Sequence, residues 1–208
     1  MTTPPDAQLA PPAGWLQLPA PRLPLAGDGL FRRVLLRGIE TVGRLDAANL
    51  WRLLMNNFRL MRAFLGFASR LMPFGELPRR DTELAILRVG WNCRCRYEWG
   101  QHVDIGRRAG LTEAEIARVA EGPAAPGWSP RQRAILLACD ELHAERMVSD
   151  ATWQMLAAEY NERLLLELVM LIGWYEGLAG VLNATGLPLD ARLEKKLAAM
   201  NIHRHAQC

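Results

Sequence analysis

Cys95, Glu98 and His102 set a thiol, a carboxylate and an imidazole three and four residues apart. On an α-helix this spacing lines all three along one face. Trp99 falls on the adjoining stripe, where it can form an apolar wall. Glu83 precedes them in a run that includes Leu84, Ile86, Leu87 and Val89. A carboxylate in such company must reach water or find a partner, and His102 on the next helix is the partner expected. A carboxylate, an imidazole and a thiol in a pocket of low dielectric can move protons. Histidine, with a reference pKa of about 6.5, does so in both directions near neutrality. Arg94 and Arg96 flank Cys95, and positive charge or helix N-terminal N–H groups beside a thiol favour the thiolate.

Each of these residues also has a plain structural reading. A Glu–His pair on neighbouring helices can simply satisfy two buried polar groups, and a buried cysteine commonly acts as a small hydrophobe. Zinc held by Cys93, Cys95 and His102 is disfavoured, because residues two apart on a helix do not face each other. A Cys93–Cys95 disulfide would close a strained ring. Cys139 belongs in a core, Cys208 is terminal, and His143 beside Asp140 and Glu141 reads as structural. Tyr175 and Asn183 are candidates for polar contacts to a pocket. The paired arginines at 32–33, 79–80 and 107–108 read as solvated helix ends. Neither a Gly-rich phosphate loop nor a metal-binding His–Glu helix motif occurs.

The elements that must position these groups are helical throughout. Seven of the thirteen prolines lie within residues 1–25, which marks 1–28 as an arm, disordered or draped over a neighbouring subunit. Apolar spacing predicts helices over 30–42 and 47–71, then from about 82 with Asp81 as cap, and over 94–109 with Gly110 after its end. Thr112 with Glu115 forms a capping-box pattern. Ser129 before Pro130, Ser149 or Asp150, and Asn161 mark the next starts. No stretch alternates with the period of a strand, so the fold class is all-α. The helical domain spans 29–192, with 193–208 as a tail.

The chain has 208 residues, half of them apolar, which is enough for a real core. A net charge of +3 argues against a nucleic-acid groove, and 23% charged residues with seven tryptophans argue against global disorder. The apolar run Leu164–Leu182 contains Glu167 and Glu176, each costing roughly 2.5–3.5 kcal/mol at membrane depth. It is therefore read as a core or interface helix, its two glutamates bonding across a subunit contact, and no membrane partner is expected. Four cysteines and no signal-peptide pattern at the start imply a reducing, cytoplasmic setting.

The stretch LPRRDTELAILRVGWNCRCRYEWGQHVDIGRRAGLTEAEIARV resembles the core of the carboxymuconolactone decarboxylase-like family, which includes the alkylhydroperoxidase D-like proteins. SPRQRAILLACDELHAERMVSDATWQML and ERLLLELVMLIGWYEGLAGVLNATGLPLD extend the resemblance over about 47–190. It implies an all-helical, alkylhydroperoxidase D-like bundle assembling as a dimer, trimer or hexamer, with pockets near subunit contacts. In the peroxidase branch a Cys-x-x-Cys pair precedes the histidine by four residues. Here Glu98 stands at the second cysteine position and Cys95 at the first, so the usual disulfide cycle cannot run. The decarboxylase branch does not depend on that pair.

The leading expectation is thus a cofactor-independent, metal-free enzyme doing acid/base chemistry, decarboxylation included, on a small carboxylated or lactone-type compound. His102 is the expected proton shuttle, Glu83 its orienter and Glu98 a second acid/base group, with Cys95, Tyr97, Trp99 and Trp91 lining the pocket. The alternatives are a thiol-dependent hydroperoxide reductase using Cys95, and an oligomeric binding module without turnover.

Overall fold

The computed structural model describes residues 9–26, 29, 34, 37–38 and 47–200. The helix expected over 30–42 falls almost wholly outside them, as does Cys208. Among the described residues there are nine α-helices and no strand.

The helix expected over 47–71 is broken. It consists of α1 (Ala48–Leu54), a 3-10 turn at Met55–Asn57 and α2 (Phe58–Leu71). Asn57 leaves the helical region, with φ −131° and ψ 86°, and its side chain accepts the N–H of Leu60. Asparagine competes with the backbone in this way, so a helix interior becomes a new N-cap.

α3 (Arg79–Asn92) starts directly after Pro78, earlier than expected. Asp81 is no cap: it is buried in the first turn, accepts the Tyr160 hydroxyl at 2.7 Å and faces Arg131 at 3.4 Å. α3 is the centre of the molecule, packed on α4 (Arg96–Arg108), α5 (Glu113–Glu121), α6 (Pro130–Glu145) and α8 (Glu162–Thr185). Leu84, Ala85, Ile86, Leu87 and Val89 are all buried, so α3 is apolar on nearly every side. Each fully buried Leu or Ile contributes about 1.5–3 kcal/mol. Gly90 lets α4 approach: a Cβ there would lie 3.2 Å from the backbone nitrogen of Trp99.

The other caps read from the sequence are present. Thr112 and Ser129 form capping boxes with Glu115 and Gln132, Ser149 caps α7 (Asp150–Ala157), and Asn161 caps α8. α8 ends where Gly186 adopts φ 67°. By length and composition alone α8 could cross a membrane, yet Leu168, Leu171 and Ile172 are fully buried inside the protein. Its glutamates both find partners within the chain. Glu167 accepts the N–H groups of Glu76 and Leu77, while Glu176 takes His143 and Arg146.

Two terminal expectations change. Residues 9–26 lie on their own chain: Trp15 packs against Trp91 and Trp99 at 5.5 and 5.9 Å. Arg94 donates to the carbonyls of Gly14 and Ala13. An extended, proline-rich segment leaves its carbonyls unpaired, and the half-buried guanidinium of Arg94 satisfies two of them. At the other end α9 (Ala191–Ala198) crosses the boundary drawn at 193. Leu193 is fully buried, and Glu194 pairs with Arg96 of α4.

Candidate active site

One cavity of about 510 Å³ opens between α1, α2, α4 and α8. α4 brings Tyr97, Glu98, Gln101 and His102 to its wall, at the helical spacing that first singled out two of them. α1 supplies Trp51, α2 supplies Phe64, and α8 supplies Trp174 and Tyr175. Glu98 and His102 are the charged or chargeable groups that accompany the two tyrosines among the described lining residues.

His102 is held on one side only. Its Nδ1 lies 2.7 Å from Oε2 of Glu83, whose side chain is completely buried. The guanidinium of Arg79, one turn earlier on α3, stands 3.1 Å from the other oxygen of Glu83. That second contact is one of charge, since this oxygen has no geometrically sound hydrogen bond. The chain Arg79–Glu83–His102 fixes the ring and leaves Nε2 as the nitrogen not committed to Glu83. Tyr175 packs edge-on to the ring at 5.1 Å.

Glu98 is the anomaly. It is buried, lines the cavity, and neither carboxyl oxygen has a hydrogen-bond partner. Burial pushes its pKa well above the usual carboxylate range, and the nearby charge of Glu176 adds to this. The group is therefore a neutral acid near neutral pH, a proton source beside a fixed imidazole.

The remaining expected residues divide. Tyr97 lines the cavity, but its hydroxyl is committed: it donates to Asp190 at 2.9 Å and accepts from the backbone of Leu50 and from Gln101. Trp91 and Trp99 stack at 5.1 Å in the core with Trp15 and do not line this cavity. Cys95 is the N-cap of α4 and also lies off this wall. It sits in a second apolar cluster with Leu53, Leu182 and Leu193. Its thiol is not activated as the flanking arginines suggested. Burial, then the Glu98 carboxyl once ionised, raises its pKa well above normal, outweighing the N–H groups of Glu98 and Tyr97 that bond the sulfur. Arg94 and Arg96 are spent on the N-terminal segment and on Glu194.

Sequence reasoning missed Arg79, although its i, i+4 relation to Glu83 was legible, and missed the aromatic walls Trp51, Phe64 and Trp174. It also separated Cys93, His143 and Glu176, whose ligand atoms all lie within 4.8 Å of one another. Asn183 donates to the Cys93 carbonyl at 2.9 Å and does not line the cavity.

Residues 59–141 match the Carboxymuconolactone decarboxylase family. Among curated proteins, none matches the sequence. Among solved structures, an uncharacterized peroxidase-related protein from Silicibacter sp. superposes with a TM-score of 0.74 at 19% identity, covering 87% of this chain and 97% of that one. The alkylhydroperoxidase AhpD core of a peroxidase-related protein from Ralstonia eutropha gives a TM-score of 0.71 at 18% identity, over 85% and 96% of the two chains. The debrominase Bmp8 in complex with 2,3,4-tribromopyrrole gives 0.68 at 13% identity, over 86% and 98%. At these identities the likeness is one of fold.

Proposed function

We propose that this chain, whose residues 59–141 match the carboxymuconolactone decarboxylase family and whose fold is alkylhydroperoxidase D-like, decarboxylates a small, largely apolar carboxylated or lactone-type compound by side-chain acid/base chemistry. The observation that carries this reading is Glu98, a buried and unpaired carboxyl on the cavity wall beside the Glu83-held imidazole.

A substrate carboxylate entering this cavity leaves water for a wall of Trp51, Phe64 and Trp174, with the His102 ring as its polar contact. Desolvation of that carboxylate favours loss of CO₂, which carries no charge. The electron pair left on carbon takes a proton from neutral Glu98, giving the product and the Glu98 carboxylate, which regains a proton from solvent. The net change is one carboxylate and one proton converted to product and CO₂. Glu83 and Arg79 are positioning residues that hold His102. Cys95, buried away from this cavity with its thiol protonated, is left out of the reaction, which is the reason for preferring this reading to the thiol peroxidase. We also propose that the protein works as a homo-oligomer.

The test incubates the protein with a panel of unsaturated lactone carboxylic acids and small aromatic acids in deuterated water. CO₂ release and deuterium at the product carbon are followed by NMR. Turnover is expected to fall about 10²–10⁴-fold in His102→Ala and to persist in Cys95→Ser. Equal turnover in wild type and His102→Ala, or none by wild type on any panel member, overturns the proposal.

A further inference from the structure

Away from the cavity contacts of α4, three helices bring Cys93, His143 and Glu176 together from the end of α3, from α6 and from α8. The Cys93 sulfur lies 3.8 Å from Nδ1 of His143, and the same Nδ1 lies 2.9 Å from Oε1 of Glu176. This is not a nucleophile–base–orienter triad. Such a triad uses the two ring nitrogens separately, one for the nucleophile and one for the carboxylate. Here a single nitrogen faces both partners, and one N–H can serve only one of them. A cation at the centre serves all three.

We propose that Cys93, His143 and Glu176 form a zinc site. The donor set of one sulfur, one nitrogen and one carboxylate oxygen suits a borderline-soft ion of tetrahedral habit. Tetrahedral bonds of about 2.3 Å to sulfur and 2.0–2.1 Å to nitrogen and oxygen separate sulfur from nitrogen by about 3.6 Å, and nitrogen from oxygen by about 3.3 Å. The observed 3.8 and 2.9 Å differ from these by a few tenths of an ångström, within reach of side-chain rotation. The thiolate and the carboxylate neutralise a divalent ion.

The surrounding groups support the ligands. Arg146 bonds the other oxygen of Glu176 and orients the carboxylate, and Asn183 fixes the backbone of Cys93 through its carbonyl at 2.9 Å. The His143 side chain is 39% exposed, which gives an entry path and a fourth position for water. Bound zinc would clamp α3, α6 and α8. The inference is independent of the decarboxylase reading, because none of these three residues lines the cavity.

The experiment uses the full chain, reduced, stripped of metal and carrying His203→Ala, His205→Ala and Cys208→Ser to remove terminal ligands. Zinc is added alone and measured after equilibrium dialysis, and cobalt(II) replaces it for spectroscopy. One zinc per chain, a raised melting temperature and a thiolate-to-cobalt charge-transfer band are expected. Cys93→Ser should abolish the band, and Cys93→Ser, His143→Ala and Glu176→Gln should each weaken binding at least tenfold, whereas Cys95→Ser should change neither. His143 is exposed enough for its alanine variant to fold, and circular dichroism checks this for each variant. Absence of stoichiometric zinc, or zinc and the cobalt band retained in Cys93→Ser, overturns the assignment.

Discussion

At the scale of single residues, Glu98 and His102 show how one helix face makes two different acid/base groups. They lie one turn apart, yet His102 has Glu83 at 2.7 Å while Glu98 has no partner at all. The cost of that isolation gives a prediction. In the unfolded chain Glu98 ionises near its reference value of about 4.3. In the fold, burial holds it protonated to well above that. Between the two values the native state carries one more proton than the unfolded state, so raising the pH lowers stability. The stability contribution is complete below the unfolded value and is lost as pH climbs toward the folded one. Glu98→Gln keeps the shape without the proton. Its stability advantage over wild type should grow by up to about 1.4 kcal/mol per pH unit above that lower value. Urea denaturation over a pH series reads this directly, and a constant difference would show Glu98 to be ionised in the fold. Glu83→Gln retains a hydrogen bond to His102 but loses the charge that faces Arg79. Steady-state kinetics should show kcat falling with KM little changed, since Glu83 touches the imidazole and not the substrate.

At the scale of elements, the site exists because α3 and α4 cross closely enough for Glu83 to reach His102. The close point is Gly90, where an added Cβ would meet the Trp99 backbone at 3.2 Å. Gly90→Ala should therefore push α4 away, cost about 1–3 kcal/mol in chemical denaturation, and lower turnover through the Glu83–His102 contact. Unchanged stability and turnover would mean the crossing is more compliant than its packing implies. This crossing was legible in part: the i, i+4 spacing of Glu98 and His102 and the apolar run around Glu83 were enough to pair Glu83 with His102. The caps at Thr112, Ser129, Ser149 and Asn161 were legible for the same reason, since each is a local competition for backbone N–H groups. Contacts between distant segments were not. Nothing near Trp99 announces that Trp15 will cover it, nothing near Cys95 announces that Arg94 will be drawn off by Gly14 and Ala13. The trio Cys93, His143 and Glu176 forms only when α3, α6 and α8 pack, so no local pattern marks it.

At the scale of the whole molecule, α8 carries apolar surface on two sides. One side of it fills the core through Leu168, Leu171 and Ile172. The other carries Leu166 at 65% exposure and Met170 at 45%. Gly173 and Gly177 continue the same stripe at spacings of three and four residues, with nothing within 4 Å of where a Cβ would stand. Apolar surface flanked by small residues lets two helices approach closely, and a net charge of only +3 offers little repulsion between copies. A twofold interface there would place this stripe against its own copy. Light scattering at micromolar protein should then give a multiple of the 23.3 kDa chain mass. Leu166→Glu combined with Met170→Glu should return the mass to that of one chain. Both positions are exposed in the single chain, so its own stability should change little. A wild-type mass of one chain would remove the interface, and an oligomer that survives the double substitution would move it to another face.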